Sequence, residues 1–179
     1  FGMSSESIEI RELQNYHKDS VLSIWREGRS FLKESGVSQW QKGDYPGEEA
    51  FFEDLSEKRG RVVLINGVVV AVFAFTLTPE ASYATLQGSW KTEEGEYLTI
   101  HRSAVKKDLM GKGIMGVILS YCIKEAERRG KKSVRVDTHM DNKPMRASLV
   151  NNGFEELGEL TLLSGSEEGD KRLGFERLI

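Results

Sequence analysis

The segment Val68–Thr78 reads VVVAVFAFTLT and is apolar without a break from Val68 to Phe75. A strand with one wet face alternates in polarity. One that is apolar on both faces must be covered on both, usually by helices. Arg61–Ile65 is a second apolar run just before it, and Asn66-Gly67 between them is the dipeptide that best tolerates the two positive φ angles of a tight hairpin. The expectation is an antiparallel hairpin inside a sheet with helices on both sides.

The flanking segments supply helices. Asn15 is placed to cap a helix running to about Ser35, with Val21, Leu22, Ile24, Trp25, Phe31 and Leu32 on one stripe and Gly36 as its stop. Glu48–Lys58 reads as a shorter helix with Phe51, Phe52 and Leu55 inward, and Ile8–Leu13 alternates as a first strand. The loop Gly36–Gly47 carries Trp40, Gln41 and Tyr45; aromatics in a polar loop either plug it onto the core or line a pocket. Pro79–Gly95 is irregular or holds a short strand near Tyr83–Leu86, and its Trp90 is exposed or faces a pocket.

Tyr97–Val105 is the next strand, and Ile114, Val117, Ile118, Tyr121, Cys122 and Ala126 form one face of a helix from about Gly113 to Arg129. Lys106, Lys107 and Gly111-Lys112-Gly113 lie between them. Glycines let the backbone approach a ligand, and the unpaired first amides of the helix, at the positive end of its dipole, suit an anion such as phosphate. Gly111-Lys112-Gly113-Ile114-Met115-Gly116 also matches the dinucleotide fingerprint G-x-G-x-x-G, with Asp137 where a ribose-binding acid is expected. Context argues against that reading. Lys106–Met110 separate the strand from the first glycine, and Thr138–Ile179 is too short for the further parallel units such a fold needs.

Ser133–Asp137 is a strand expected to run parallel to Tyr97–Val105 across the helix. Pro144 suits the first turn of a helix reaching about Val150, Gly153 stops it, and Phe154–Leu162 with Arg172–Leu178 closes the chain as an antiparallel pair. A formal charge of −3 gives no general basic signature for nucleic acid. The acidic runs Glu48, Glu49, Glu53, Asp54, Glu57 and Glu167, Glu168, Asp170 read as solvated faces, with an overall sign that favours a cationic substrate. The single cysteine, Cys122, permits no disulfide and no zinc spacing, and no metal site is expected. No run is long and apolar enough to span a membrane, and no leader is read before Met3, so the expected location is cytoplasmic. Phe1-Gly2 look like a tag remnant, which leaves 3–179 as a single domain.

Taken in order, these elements resemble the GNAT acyl-CoA N-acyltransferases over nearly the whole chain. Ser103-Ala104-Val105 ends the central strand, Met110–Met115 occupies the place of the family's pyrophosphate motif, and Asp141-Asn142-Lys143-Pro144-Met145 through Asn151-Asn152-Gly153-Phe154 resembles its Asn-led helix and terminal Gly-Phe. The resemblance implies an α/β, three-layer αβα fold: a mixed, mostly antiparallel sheet of about seven strands with a central parallel pair, and about four helices. Two motif positions differ: Met110 stands for Gln/Arg and Met115 for Gly/Ala. Leu149 stands where many relatives carry a tyrosine general acid.

The resemblance further implies an acetyl-CoA-dependent N-acetyltransferase that acts by direct attack of a primary amine, from a small molecule or a peptide N-terminus, on the thioester. A lysine-type amine is neutral in only about one molecule per thousand at physiological pH, so a proton acceptor is needed. Asp137 matches the carboxylate that takes this role in several relatives, although a helix cap or an ion pair explains it equally. His101 and His139 are the other candidates, and Tyr121 is the candidate acid. The expected acetyl-CoA contacts are Ser103, Ala104, Val105, Met110, Gly111, Lys112, Gly113, Ile114, Met115, Gly116, Asn142 and Lys143. Those for the amine are Trp40, Tyr45, Trp90 and Tyr97. A homodimer through the last strands, and a non-catalytic acyl-CoA sensor suggested by Leu149, Met110 and Met115, are the open alternatives.

Overall fold

The structure is a computed structural model, and it describes residues 7–179; the Phe1-Gly2 pair read as a tag remnant lies outside the described residues. Strands β1 (Ile8–Glu12), β2 (Gly60–Ile65), β3 (Val68–Thr76), β4 (Tyr97–Val105), β5 (Ser133–Thr138), β6 (Glu155–Thr161) and β7 (Lys171–Leu178) form one sheet, ordered β1-β2-β3-β4-β5-β7-β6. Only β4 and β5 are parallel; the other neighbours are antiparallel. Helices α1 (Lys18–Glu34) and α2 (Glu48–Ser56) cover one face, and α3 (Ile114–Arg128) and α4 (Lys143–Asn151) the other.

The unbroken apolar run behaves as its composition demands. Val70–Phe75 is buried throughout, with Ala71, Phe73 and Phe75 packed toward Ile114, Ile118 and Cys122 while Val72 meets Val21 and Trp25 on the opposite face. Asn66 and Gly67 both take positive φ, at 50° and 81°, as the hairpin turn requires. Of the two readings of Pro79–Gly95, irregular or holding a short strand near Tyr83–Leu86, the strand is not formed. Ala81–Thr85 is a 3₁₀ turn, not a strand, because Thr85 Oγ1 bonds back to the Ser82 carbonyl at 2.7 Å and also receives the Thr161 N–H.

Two of the acids read as solvated are not. Asp54 is 2 % exposed and Glu167 6 % exposed, and each is matched by buried or half-buried arginine. Asp54 organises the middle of the sheet. Its carboxylate takes Arg59 Nε at 2.7 Å, Arg102 Nε at 3.0 Å and Arg102 Nη2. Arg102 adopts φ 51°, a left-handed conformation rare for a residue with a Cβ. It sits where the β3–β4 register slips, and its carbonyl accepts Trp25 Nε1 at 3.2 Å. The bulge bends β4, so its pairing with β5 is limited to Tyr97–Thr99 against Ser133–Arg135. Beyond Thr99 the two strands diverge. Removing the anion by Asp54→Ala leaves the Arg102 guanidinium, 12 % exposed, without a carboxylate while Arg59 keeps Glu53 and Glu57, so unfolding in denaturant should show a loss of about 3–5 kcal/mol.

Candidate active site

The gap between the diverging ends of β4 and β5 is a cleft of about 1070 Å³. At one end lies the turn into α3. Gly111 and Gly113 have φ of 76° and 88°, and Gly113 occupies the N-cap without any side-chain cap. No protein atom lies within 4 Å of where a Cβ on Gly111 would sit, which leaves the backbone open to a ligand. The amides of the first helical turn therefore face the cleft with no carbonyl of an earlier turn to bind. Ser103, Ala104 and Val105 form the adjoining β4 wall, and Met110, Ile114, Met115 and Gly116 line the same end. Lys112 and Lys143 are exposed and do not line the cleft. Asn142 does, and it also caps α4 by accepting the Met145 N–H at 3.3 Å.

At the other end the wall is acidic. Asp137 lines the cleft, and its Oδ1 accepts the Tyr83 hydroxyl at 2.8 Å. Burial pushes its carboxyl above the ordinary aspartate range, only partly offset by that hydrogen bond and by the charge of Arg172. Glu80, on the same wall, is also raised, by burial and then by the charge of Asp137. Glu80 was not singled out in the sequence; the signal for it was its position immediately after Pro79, where a buried strand ends. Tyr83 and Arg172 were equally missed, and Glu167 had been read as part of a solvated run.

The other candidates separate clearly. His101 lines the cleft, with Nε2 3.1 Å from Thr76 Oγ1 and 3.7 Å from Glu80 Oε2. Burial and then the charges of Arg102 and Arg59 push its pKa down to about 3, so it is neutral and a poor proton acceptor at physiological pH. His139 points elsewhere: its ring bonds Ser38 Oγ at 2.9 Å and accepts the Asp141 N–H, which fixes the turn before α4. Tyr121 does not line the cleft; its ring is edge-on to Phe73 and its hydroxyl receives Arg61 Nε at 3.3 Å. Helical periodicity put Tyr121 on the core face, and the core claimed it. Leu149 is fully buried and places no acid at the site.

Of the aromatics, Trp40 and Tyr45 line the cleft. Trp90 and Tyr97 stand behind its wall. Trp90 donates Nε1 to the Tyr83 carbonyl at 2.8 Å, the Tyr97 hydroxyl receives the Glu80 N–H at 2.7 Å, and the Arg135 guanidinium lies 3.7 Å from the Tyr97 ring. They hold the acidic wall and do not line the cleft.

The family model described as Acetyltransferase (GNAT) family matches residues 22–154. The chain belongs to the GNAT acetyltransferase family. The GNAT fold is shared over nearly the full length with solved structures. A GNAT-family acetyltransferase from Streptococcus agalactiae is 24% identical, with a TM-score of 0.79, covering 96% of this chain and 95% of that one. One from Listeria monocytogenes is 15% identical, with a TM-score of 0.70 and coverage of 96% and 95%. The ribosomal-protein-S18-alanine N-acetyltransferase of Escherichia coli is 16% identical, with a TM-score of 0.62 and coverage of 97% and 94%. No match to the sequence was found among curated proteins. Within this GNAT cleft, Tyr83→Phe removes the hydrogen bond that opposes the effect of burial on Asp137. Carbon-detected NMR should find the Asp137 carboxyl titrating at higher pH in the variant.

Proposed function

We propose that this chain is an N-acetyltransferase in which acetyl-CoA donates to a primary amine by direct attack, with Asp137 as the proton acceptor. The observation that carries the reading is the juxtaposition within one cleft: an uncapped, glycine-opened helix N-terminus at one end and a half-buried carboxylate of raised pKa at the other. Bound acetyl-CoA supplies an acetyl thioester. The residues present fit it: the open space at Gly111 and the free amides at the start of α3 suit a pyrophosphate, and the unpaired edge of β4 suits a pantetheine chain.

The rest of the chemistry falls to side chains and backbone. Beyond Thr99 the edge of β4 that faces β5 has no ladder partner, so amides within Ser103–Val105 can donate to the thioester oxygen as it becomes negative. Asp137 accepts the amine proton on the side of the cleft lined by Tyr83 and Glu80. Neutral His101 contributes a hydrogen bond, not charge. Leu149 offers no hydroxyl to protonate the thiolate, and a thiol of pKa about 8.5 leaves tolerably without one. Work in the cytoplasm is part of this reading.

Two variants test it. Asp137→Asn should keep acetyl-CoA binding by calorimetry within a few fold yet lower turnover of any accepted amine by about 10²-fold or more, followed as thiol release. Gly111→Val, which fills the open space and strains a backbone at φ 76°, should weaken acetyl-CoA binding by about tenfold or more. In the parent protein kcat/KM should fall with acid through a pKa above the ordinary aspartate value of about 3.9, because the acceptor must be ionised and burial raises its pKa. A limb at or below that value, or full activity in Asp137→Asn, rejects Asp137 as the base.

A further inference from the structure

The acceptor end of the cleft has an imbalance of charge that the acetyl-transfer reading alone does not explain. Its arginines are all matched to protein carboxylates. Arg59 is bound to Asp54 at 2.7 Å and to Glu57 at 2.9 Å, and Arg102 is bound to Asp54 and to the Tyr45 hydroxyl at 3.0 Å. Arg172, 2 % exposed, lies with Nη2 2.9 Å from Glu167 Oε1, so its charge is matched although that nitrogen makes no well-directed hydrogen bond. Two carboxylates on the same cleft, Glu80 and Asp137, have no lysine or arginine partner among the described residues. The imidazole near Glu80 is neutral. Thr138 ends β5 beside them, 2 % exposed, with a hydroxyl that has no hydrogen-bond partner in the protein.

Two half-buried carboxylates without counter-ions on one cleft favour the arrival of a cation, and one ammonium neutralises only one of them. A roof limits what can bring the cation in. Trp40 donates its N–H to Glu167 Oε2 at 2.8 Å and Lys42 pairs with Asp170 at 2.9 Å, which joins the loop before α2 to the loop between β6 and β7 above this end of the cleft. Trp40 and Tyr45 offer aromatic faces there, which attract cations and pack methylene chains.

We propose that the acceptor is a small diamine without a carboxylate: one nitrogen is acetylated at Asp137, and the second, as an ammonium, is bound by Glu80. This deepens the acetyl-transfer reading and rests on it. In the reaction the free electron pair of the first nitrogen forms the new N–C bond, the thioester C–S bond breaks with its pair going to sulfur, and the nitrogen's proton passes to Asp137. The second nitrogen stays protonated throughout and forms no covalent bond. An amino acid is disfavoured because its carboxylate would enter beside Glu80, where the charge of each arginine already faces a protein carboxylate.

The test compares α,ω-diamines of two to six carbons with alkylamines and ω-amino acids of the same lengths, using the full chain and acetyl-CoA. The best diamine should exceed its alkylamine by about tenfold or more in kcat/KM, mostly through KM, with the ω-amino acid below both. Glu80→Gln should reduce that preference to about twofold or less. The diamine alone should also raise the melting temperature of the parent protein, and do so less in the variant. Equal turnover of alkylamine and diamine, or preference for the ω-amino acid, overturns the proposal while leaving acetyl transfer intact; the latter result would point to Arg172 as a carboxylate site. A protein that binds acetyl-CoA but turns over no amine in the series overturns the diamine assignment alone. One that fails to bind acetyl-CoA overturns both readings.

Discussion

The ion pair between Asp54 and Arg102 is the contact on which the rest of the site depends. A left-handed arginine in the middle of a strand is costly in itself, by roughly 1–3 kcal/mol, and persists only where its surroundings fix it. Here they do so from three directions: Asp54 grips the guanidinium, Tyr45 receives one of its N–H groups, and the Trp25 indole donates to its carbonyl. The bulge that results ends the pairing of β4 with β5 after Thr99, and without that divergence there is no cleft. The contact also ties the first helical layer to the reaction centre, since Trp25 lies in α1, Asp54 in α2 and Tyr45 in the loop between them. Packing on one face of the sheet thus sets the opening between strands in its middle.

A second buried network supports the acidic wall from behind. Glu176 on β7 accepts Ser133 Oγ and Thr92 Oγ1, both at 2.6 Å, and Arg135 Nε at 3.0 Å. Burial alone would raise its pKa, but these donors and the Lys91 N–H hold it below the ordinary glutamate range, so it stays charged. It anchors Arg135, which stacks on Tyr97 and Trp90, and those rings in turn position Glu80 and Tyr83. Glu80 and Asp137 can remain without counter-ions because the backbone and rings around them are fixed by charges that are fully matched.

What was legible in the sequence was whatever repeats with a period. The hairpin, the both-faces-buried β3, the three main helices and the parallel β4–β5 pair follow from apolar spacing and from the punctuation of Asn66-Gly67, Gly130 and Gly153. The phosphate-type turn at Gly111–Gly113 was readable because glycine at positive φ has a local cause. Of the acidic wall only Asp137 was. Asp54 and Glu167 sit in runs of charge indistinguishable from solvated ones, and only tertiary contact with Arg59, Arg102 and Arg172 separates them from Glu49 or Glu168. Glu80 lies in a segment without periodicity, and Trp90 and Tyr97, expected as contacts for the amine, stand behind the cleft wall instead. Distance along the chain hid each of these partnerships: Asp54 meets Arg102 across 48 residues and Trp40 meets Glu167 across 127.

The proton balance of the cleft accounts for why burial, which opposes every charge in it, serves the reaction. An amine entering from water carries a proton with a pKa near 10.4, whereas an ordinary aspartate holds one near 3.9, and transfer across so wide a gap would be slow to yield a free electron pair. Burial acts on both partners in the helpful sense. It destabilises the ammonium and lowers its pKa, and it destabilises the carboxylate and raises the pKa of Asp137. The same desolvation pushes His101 so far down that it cannot compete for the proton. The charge of Asp137 in turn raises Glu80, and a protonated second amine beside Glu80 would offset that repulsion as the substrate binds.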